Sequence, residues 1–196
     1  MARRRVVGST SLLTTVAICL GLALTAPPAR AEFGAIAVGT SLPTTLGDNY
    51  LTYARLAGVS AQIWWSNEKL LGNHFEMVLT GVYQPFAIRG METTVLRQLG
   101  LFTNIEWREK SEGFVLSPFM SVGPGFMYSW LSFPQDGMIG GVVGNSGGSF
   151  AMQIRVGASM KLFDPISLEL ETPFTVVFNR NSLLTWAASL SLRMPI

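Results

Sequence analysis

A side-chain period of two, resumed repeatedly from residue 33 to the carboxyl end, narrows the folds open to this chain more than any other feature. Its clearest instance runs over residues 150–178. Met152, Ile154, Val156, Ala158, Met160 and Leu162 share one parity, and Gln153, Arg155, Gly157, Ser159 and Lys161 the other. After Phe163-Asp164-Pro165 the alternation resumes, with Ile166, Leu168 and Leu170 against Ser167, Glu169 and Glu171. Such a period belongs to strands with unlike faces, here two strands joined by a very short turn. A small soluble sandwich would bury the apolar parity and leave the charges in water, so this hairpin alone does not choose an environment. The recurrence of the pattern behind an export signal points instead to a membrane barrel, apolar side toward lipid and polar side inward.

Eight alternating segments are expected, at about 33–40, 53–66, 75–85, 94–108, 114–130, 150–162, 166–178 and 184–194. Val59, Ala61 and Ile63 oppose Ser60 and Gln62; Phe75, Met77 and Leu79 oppose Glu76, Thr80 and Gln84. Leu99, Leu101 and Ile105 oppose Gln98, Asn104, Glu106 and Arg108, and Leu190 and Leu192 oppose Ser189, Ser191 and Arg193. At about 11 residues each, eight strands leave a plausible remainder for seven connections. An even count returns both termini to one side, which places the connections 41–49, 86–93, 131–148 and 179–182 outside the cell. The others, 66–73, 109–113 and 163–165, become periplasmic turns. The expected fold class is therefore all-β, an eight-stranded antiparallel transmembrane β-barrel over residues 32–196. The alternative is a soluble lipocalin-like barrel or sandwich in the periplasm.

Residues 1–31 read as a signal peptide. Arg3-Arg4-Arg5 supplies a basic start, residues 6–26 carry no ionisable side chain apart from Cys19, and Ala29-Arg30-Ala31 fits a small-x-small cleavage site. An uncleaved anchor and lipoprotein processing at Cys19 are the rival readings. The leader holds four of the 14 basic residues and no acid, so the remainder carries 10 basic against 12 acidic groups, a net of −2. The basic whole-chain balance thus describes the leader, and no nucleic-acid partner is implied. Cys19 is the one cysteine, which excludes disulfides and thiolate metal sites from the rest.

A closed eight-strand barrel is narrow enough for side chains to fill. The inward parity collects Glu76, Glu106, Arg108, Arg155, Lys161, Glu169, Glu171 and Arg193, four acids and four bases, and equal numbers allow a fully paired interior. Trp64, Trp65, Trp107, Trp130, Trp186, Tyr53, Tyr83 and Tyr128 suit the aromatic girdles of such a barrel. The longest connection, 131–148, is rich in glycine yet carries Phe133, Met138, Ile139, Val142 and Val143. These five are the candidate contacts for an external ligand or partner, on either a flap over the barrel mouth or a hairpin extension of the flanking strands.

Pro118-Phe119-Met120-Ser121-Val122-Gly123-Pro124-Gly125 resembles the proline, aromatic and paired-glycine strand of the small outer-membrane barrels of the opacity-protein and OmpA-like group. Residues 150–171, with Gly157 in mid-strand and an Asp-containing turn, are similar to the next hairpin of that group. The resemblance spans roughly 114–194. It implies an outer-membrane location, with outer-membrane lipid and the barrel-assembly machinery as partners. Members commonly end on an aromatic residue read by that machinery, whereas this chain ends Arg193-Met194-Pro195-Ile196.

Catalytic signals are thin. His74 is the one histidine, it falls at the periplasmic end of its strand, and no His-x-Ser arrangement lies near it, unlike the lipid A deacylases of the eight-strand type. No catalytic residue, metal or cofactor is expected. The leading functional expectation is a structural or surface-interaction barrel, followed by a conduit for small hydrophobic compounds and, distantly, a lipid-modifying enzyme.

Overall fold

The computed structural model describes residues 32–47, 52–66, 71, 74–109, 116–135, 138–142, 146–178 and 183–196, with backbone alone at 32–33, 66, 92–93, 133–135 and 138–142. Residues 1–31, and with them the leader, lie outside this set. Ten strands appear: β1 (Glu32–Thr45), β2 (Tyr53–Arg55), β3 (Gly58–Ser66), β4 (Phe75–Ile88), β5 (Met91–Arg108), β6 (Leu116–Gln135), β7 (Met138–Val142), β8 (Gly147–Phe163), β9 (Ile166–Phe178) and β10 (Leu183–Pro195).

Eight of them close a ring of antiparallel neighbours, β1-β3-β4-β5-β6-β8-β9-β10, with β10 returning to β1. The two short strands are continuations. β2 pairs with β4 beyond the start of β3, and β7 pairs with β6 beyond the start of β8. The register fixes the stagger. Gly39 leads through Ser191, Glu169 and Ser159 to Ser117 on β6, and the other way through Ser60, Val82 and Gly100 to Met127 on the same strand. One circuit thus displaces the register by ten residues, which forces the strands to tilt and leaves a lumen that side chains can fill.

Outward parity is apolar. Val38, Leu42, Val59, Leu99, Leu101, Met120, Ile154, Leu170 and Leu192 are all exposed, whereas Gln62, Gln98, Asn104, Gln153 and Thr175 on the other parity are buried at 0 or 1% exposure. A water-soluble barrel would have the opposite sense, so the wall is built for hydrocarbon. No helix among the described residues is long and apolar enough to cross a membrane.

Two sequence expectations need correction, and one alternative is decided. The connection placed at 86–93 is a tight hairpin: β4 continues to Ile88 and β5 begins at Met91, with Gly90 at positive φ (79°) between them. Likewise β1 runs to Thr45 through residues expected to form a loop. In the segment 131–148, β6 continues to Gln135 and pairs with β7, which is the hairpin extension and not a flap. Sequence contained the clue, since Asp136-Gly137 stands between the paired Gln135 and Met138, and Asp-Gly is a strong two-residue hairpin signal.

Candidate functional site

Because the wall turns its polar parity inward, the lumen is where this chain concentrates its chemistry. The side chains there form three tiers.

The tier nearest the termini is charged. Arg108 donates from Nε and Nη2 to Glu106 Oε1 at 3.1 and 2.7 Å and from Nη2 to Glu169 Oε1 at 2.8 Å. Arg155 donates from Nε to Glu171 Oε2 at 2.8 Å and from Nη2 to Gln62 Oε1 at 2.6 Å, while its Nη1 lies 3.6 Å from Glu106 Oε2. Arg193 donates to Glu76 Oε2 at 3.2 Å and approaches Glu169 Oε1 at 3.6 Å. Gln62 and Trp64 complete the set, donating to Glu171 Oε1 and Glu106 Oε1, each at 2.9 Å. The guanidiniums also lie over rings, Arg108 4.4 Å from the Phe119 centroid and Arg193 4.6 Å from that of Trp64, an arrangement in which the π face meets the cation.

Small residues on the wall make this crowding possible. Trp64 packs with Ala35, Ala37 and Val78, so β1 contributes methyl groups where its neighbours contribute long side chains. Gly157 does the same for Phe119: a Cβ there would meet Phe119 Cζ at 2.6 Å and the Leu170 carbonyl at 2.5 Å.

Seven of the eight predicted interior residues lie in this tier, Glu76, Glu106, Arg108, Arg155, Glu169, Glu171 and Arg193. Lys161 does not. Its side chain is 67% exposed and pairs with Asp164 at 3.1 Å in the β8–β9 turn, because the inward parity leaves the lumen where the strand ends and a flexible ammonium is better hydrated outside. The balance is therefore four carboxylates against three guanidiniums, not four against four. Trp64 is a second correction: it is fully buried inside the barrel, and does not join a girdle. Its indole N–H found a carboxylate, as a buried tryptophan requires.

Above the charges sits a neutral polar tier. Asn104 Nδ2 reaches Thr80 Oγ1 and Gln153 Oε1 at 3.3 and 3.4 Å, and Gln153 Nε2 reaches Thr175 Oγ1 at 3.4 Å. Nearest the loop end is an apolar tier that the polar-interior expectation missed. Val82, Phe102, Met127, Ala151, Val177 and Leu183 form one buried cluster, with Tyr53 packed against it and the Tyr53 and Phe86 rings edge-to-face at 6.2 Å. In sequence these residues read as breaks in the polar parity.

Among the described residues the three tiers occupy the lumen. A cavity of about 10 Å³ lined by Ser41, Ser60, Thr80, Gln153 and Arg155 is at most the size of one water. A cleft of about 300 Å³ at the terminal mouth, lined by Lys161, Asp164, Ser167 and Arg193, is open and stops at the charged tier.

Of the five loop candidates, Phe133 lies on β6 and Met138, Ile139 and Val142 on β7; Val143 lies outside the described residues. His74 is exposed at the terminal end, where its carbonyl accepts from the Arg108 amide. Among the described residues no three His, Cys, Asp or Glu side chains gather as metal ligands would.

Neisserial surface protein A superposes with a TM-score of 0.62 at 9% identity, covering 85% of this chain and 99% of that one. This is the fold of the small outer-membrane barrels. The amino-terminal barrel domain of Pseudomonas aeruginosa OprF matches at 0.53 and 9% identity, over 85% of this chain and 100% of that domain. Ail, the attachment invasion locus protein of Yersinia pestis, matches at 0.50 and 10% identity, over 83% and 99%. At these identities the likeness extends to the fold and no further. No protein-family model matches the chain, and no curated protein matches it.

Proposed function

We propose that the mature chain is a non-enzymatic barrel of the outer membrane with a structural or surface-interaction role, its termini in the periplasm and the β6–β7 extension outside the cell. The observation that carries this reading is the filled lumen. A pore needs a wet path, and here, among the described residues, a charged, a neutral and an apolar tier succeed one another across the lumen, with a cavity of about 10 Å³ beside Arg155. What remains for function is the rim, where β6 and β7 continue past the ring. Purified barrel in planar bilayers is expected to give no sustained conductance, and a stable open level would overturn the reading. Protease added to intact cells is expected to cut within 131–148 first; cleavage only after the outer membrane is permeabilised would reverse the orientation.

A conduit for small hydrophobic compounds is the second reading, favoured by the apolar tier at the loop end. Uptake of a hydrophobic dye that falls when the protein is deleted and returns with the wild-type chain would promote it. A lipid-modifying enzyme requires lipid A to gain or lose an acyl chain with the protein, which a mass spectrum of lipid from both strains decides.

A further inference from the structure

On the outward parity of the described strand residues, one side chain is charged. Arg97 occupies β5 between inward Leu96 and Gln98, in line with exposed Leu99 and Leu101. It has no hydrogen bond or ion pair with a described residue, and its buried Nε has no partner. Across the ladder it faces Pro85 on β4 and Trp130 on β6. One row toward the termini, Tyr83, Leu99 and Tyr128 lie side by side. The aromatic rings close over β5 there, Tyr83 to Trp130 at 6.4 Å and Tyr128 to Trp130 at 5.8 Å.

The height of this row follows from the strand. Arg97 and Trp107 share a strand and a parity ten residues apart, about 33 Å along the chain at ~3.3 Å per residue. Tilted by ~45°, that is roughly 23 Å along the membrane normal, close to the ~25 Å height of the apolar band in such barrels. Trp107 therefore lies at one interface, and Arg97, with Trp130, at the other. A charge at the midplane would be costly, whereas at the interface it is nearly free and meets headgroups.

We infer that Arg97, set in the Tyr83–Tyr128–Trp130 aromatic cluster, binds the phosphate of a phosphorylated glycolipid in the leaflet at the loop end of the barrel. A guanidinium fork without a protein partner matches a phosphate in two parallel hydrogen bonds, and the rings beside it suit the boundary between acyl chains and headgroups. A lipid headgroup and not free phosphate is the source because the outward parity faces lipid and not the aqueous lumen, and the proposed orientation puts this end of the barrel in the outer leaflet, where the phosphorylated lipid is a glycolipid. The inference rests on the transmembrane reading and deepens it.

The test uses the full chain, exported and folded in cells, purified into nanodiscs of phosphatidylcholine, with bisphosphorylated lipid A and its dephosphorylated form as probes in native mass spectrometry. Wild type is expected to prefer the phosphorylated form, and Arg97→Gln to bind it about tenfold more weakly, in keeping with a charge-assisted pair, with heat-modifiable gel migration unchanged. Arg97→Lys, which keeps the charge, should retain a preference for the phosphorylated form. Equal binding by wild type and Arg97→Gln, no preference in the wild type, a loss as complete in Arg97→Lys as in Arg97→Gln, or displacement by millimolar inorganic phosphate would each overturn it. Carbonate extraction of the cell envelope separates the two claims. A protein released by carbonate refutes the membrane reading itself, while one retained with unaltered lipid binding in Arg97→Gln refutes the phosphate site alone.

Discussion

Arg155 is fully buried and holds Glu171 and Gln62 while approaching Glu106. Removing such a cation strands its carboxylate in a place that water does not reach, and the cost is that of an uncompensated buried charge. Arg155→Met is expected to lose about 3–5 kcal/mol of stability, measured by urea unfolding of barrel refolded in lipid vesicles. Arg155→Met combined with Glu171→Leu should recover much of that loss, since a buried pair contributes little over a well-packed apolar replacement. If the double variant is no better than the single one, the loss lies in packing and not in charge. Gly125 tests the opposite limit. A Cβ there would stand 2.3 Å from Phe102 Cδ1 and 2.5 Å from the Leu101 carbonyl, so Gly125→Ala should cost about 1–3 kcal/mol by overpacking. Adding Phe102→Leu should return only part of this, because the backbone contact stays; full recovery would assign the whole cost to the ring.

At the scale of one strand, β5 shows how the two solvents are told apart. Leu99, Leu101 and Ile105 are exposed to lipid while Gln98, Phe102, Asn104 and Glu106 are at most 1% exposed within the lumen. Leu101 lies well inside the band that Arg97 and Trp107 bracket. Leu101→Arg is therefore expected to lose about 2–4 kcal/mol, the cost of an arginine near the bilayer midplane, again by unfolding from lipid vesicles. A loss below about 1 kcal/mol, the range for an interfacial arginine, would show that the band is displaced along the wall. The alternation that assigns these faces was legible in sequence because each strand keeps its parity over most of its length, with one face against lipid throughout. Strand ends were less legible: Phe86 and Thr45 continue their strands beyond the point where a polar and apolar pattern could still be followed.

For the whole molecule, stability depends on closure. β10 supplies the partner for both β1 and β9, and without it two rows of backbone groups would face hydrocarbon with nothing to bond to, at several kcal/mol for each group. Deletion of 183–196 is expected to abolish the heat-modifiable folded band and direct the chain to proteolysis. A folded, membrane-inserted remnant would mean that the ring can close with seven strands. The ten-residue stagger sets the width of the closed ring, and that width lets seven long charged side chains meet across the lumen, with a cavity of about 10 Å³ beside Arg155 and Glu171.

Sequence by itself determined the eight strands of the ring and which residues share a face, because a period of two depends only on the two faces meeting unlike surroundings; the export signal pointed to lipid on the apolar side. It also determined which charges were candidates for the interior. Tertiary structure decided what those charges do. Glu106 and Glu169, 63 residues apart in the chain, share Arg108, and only the stagger of the closed ring brings them level. Closure likewise put Trp64 under Arg193 and gathered Val82, Phe102, Met127 and Val177 into an apolar tier, since single inward residues on different strands show no pattern until a ring aligns them. Lys161 went the other way for the same reason: parity assigns a direction, and only the position of the strand's end shows whether a lumen is still there to receive the side chain.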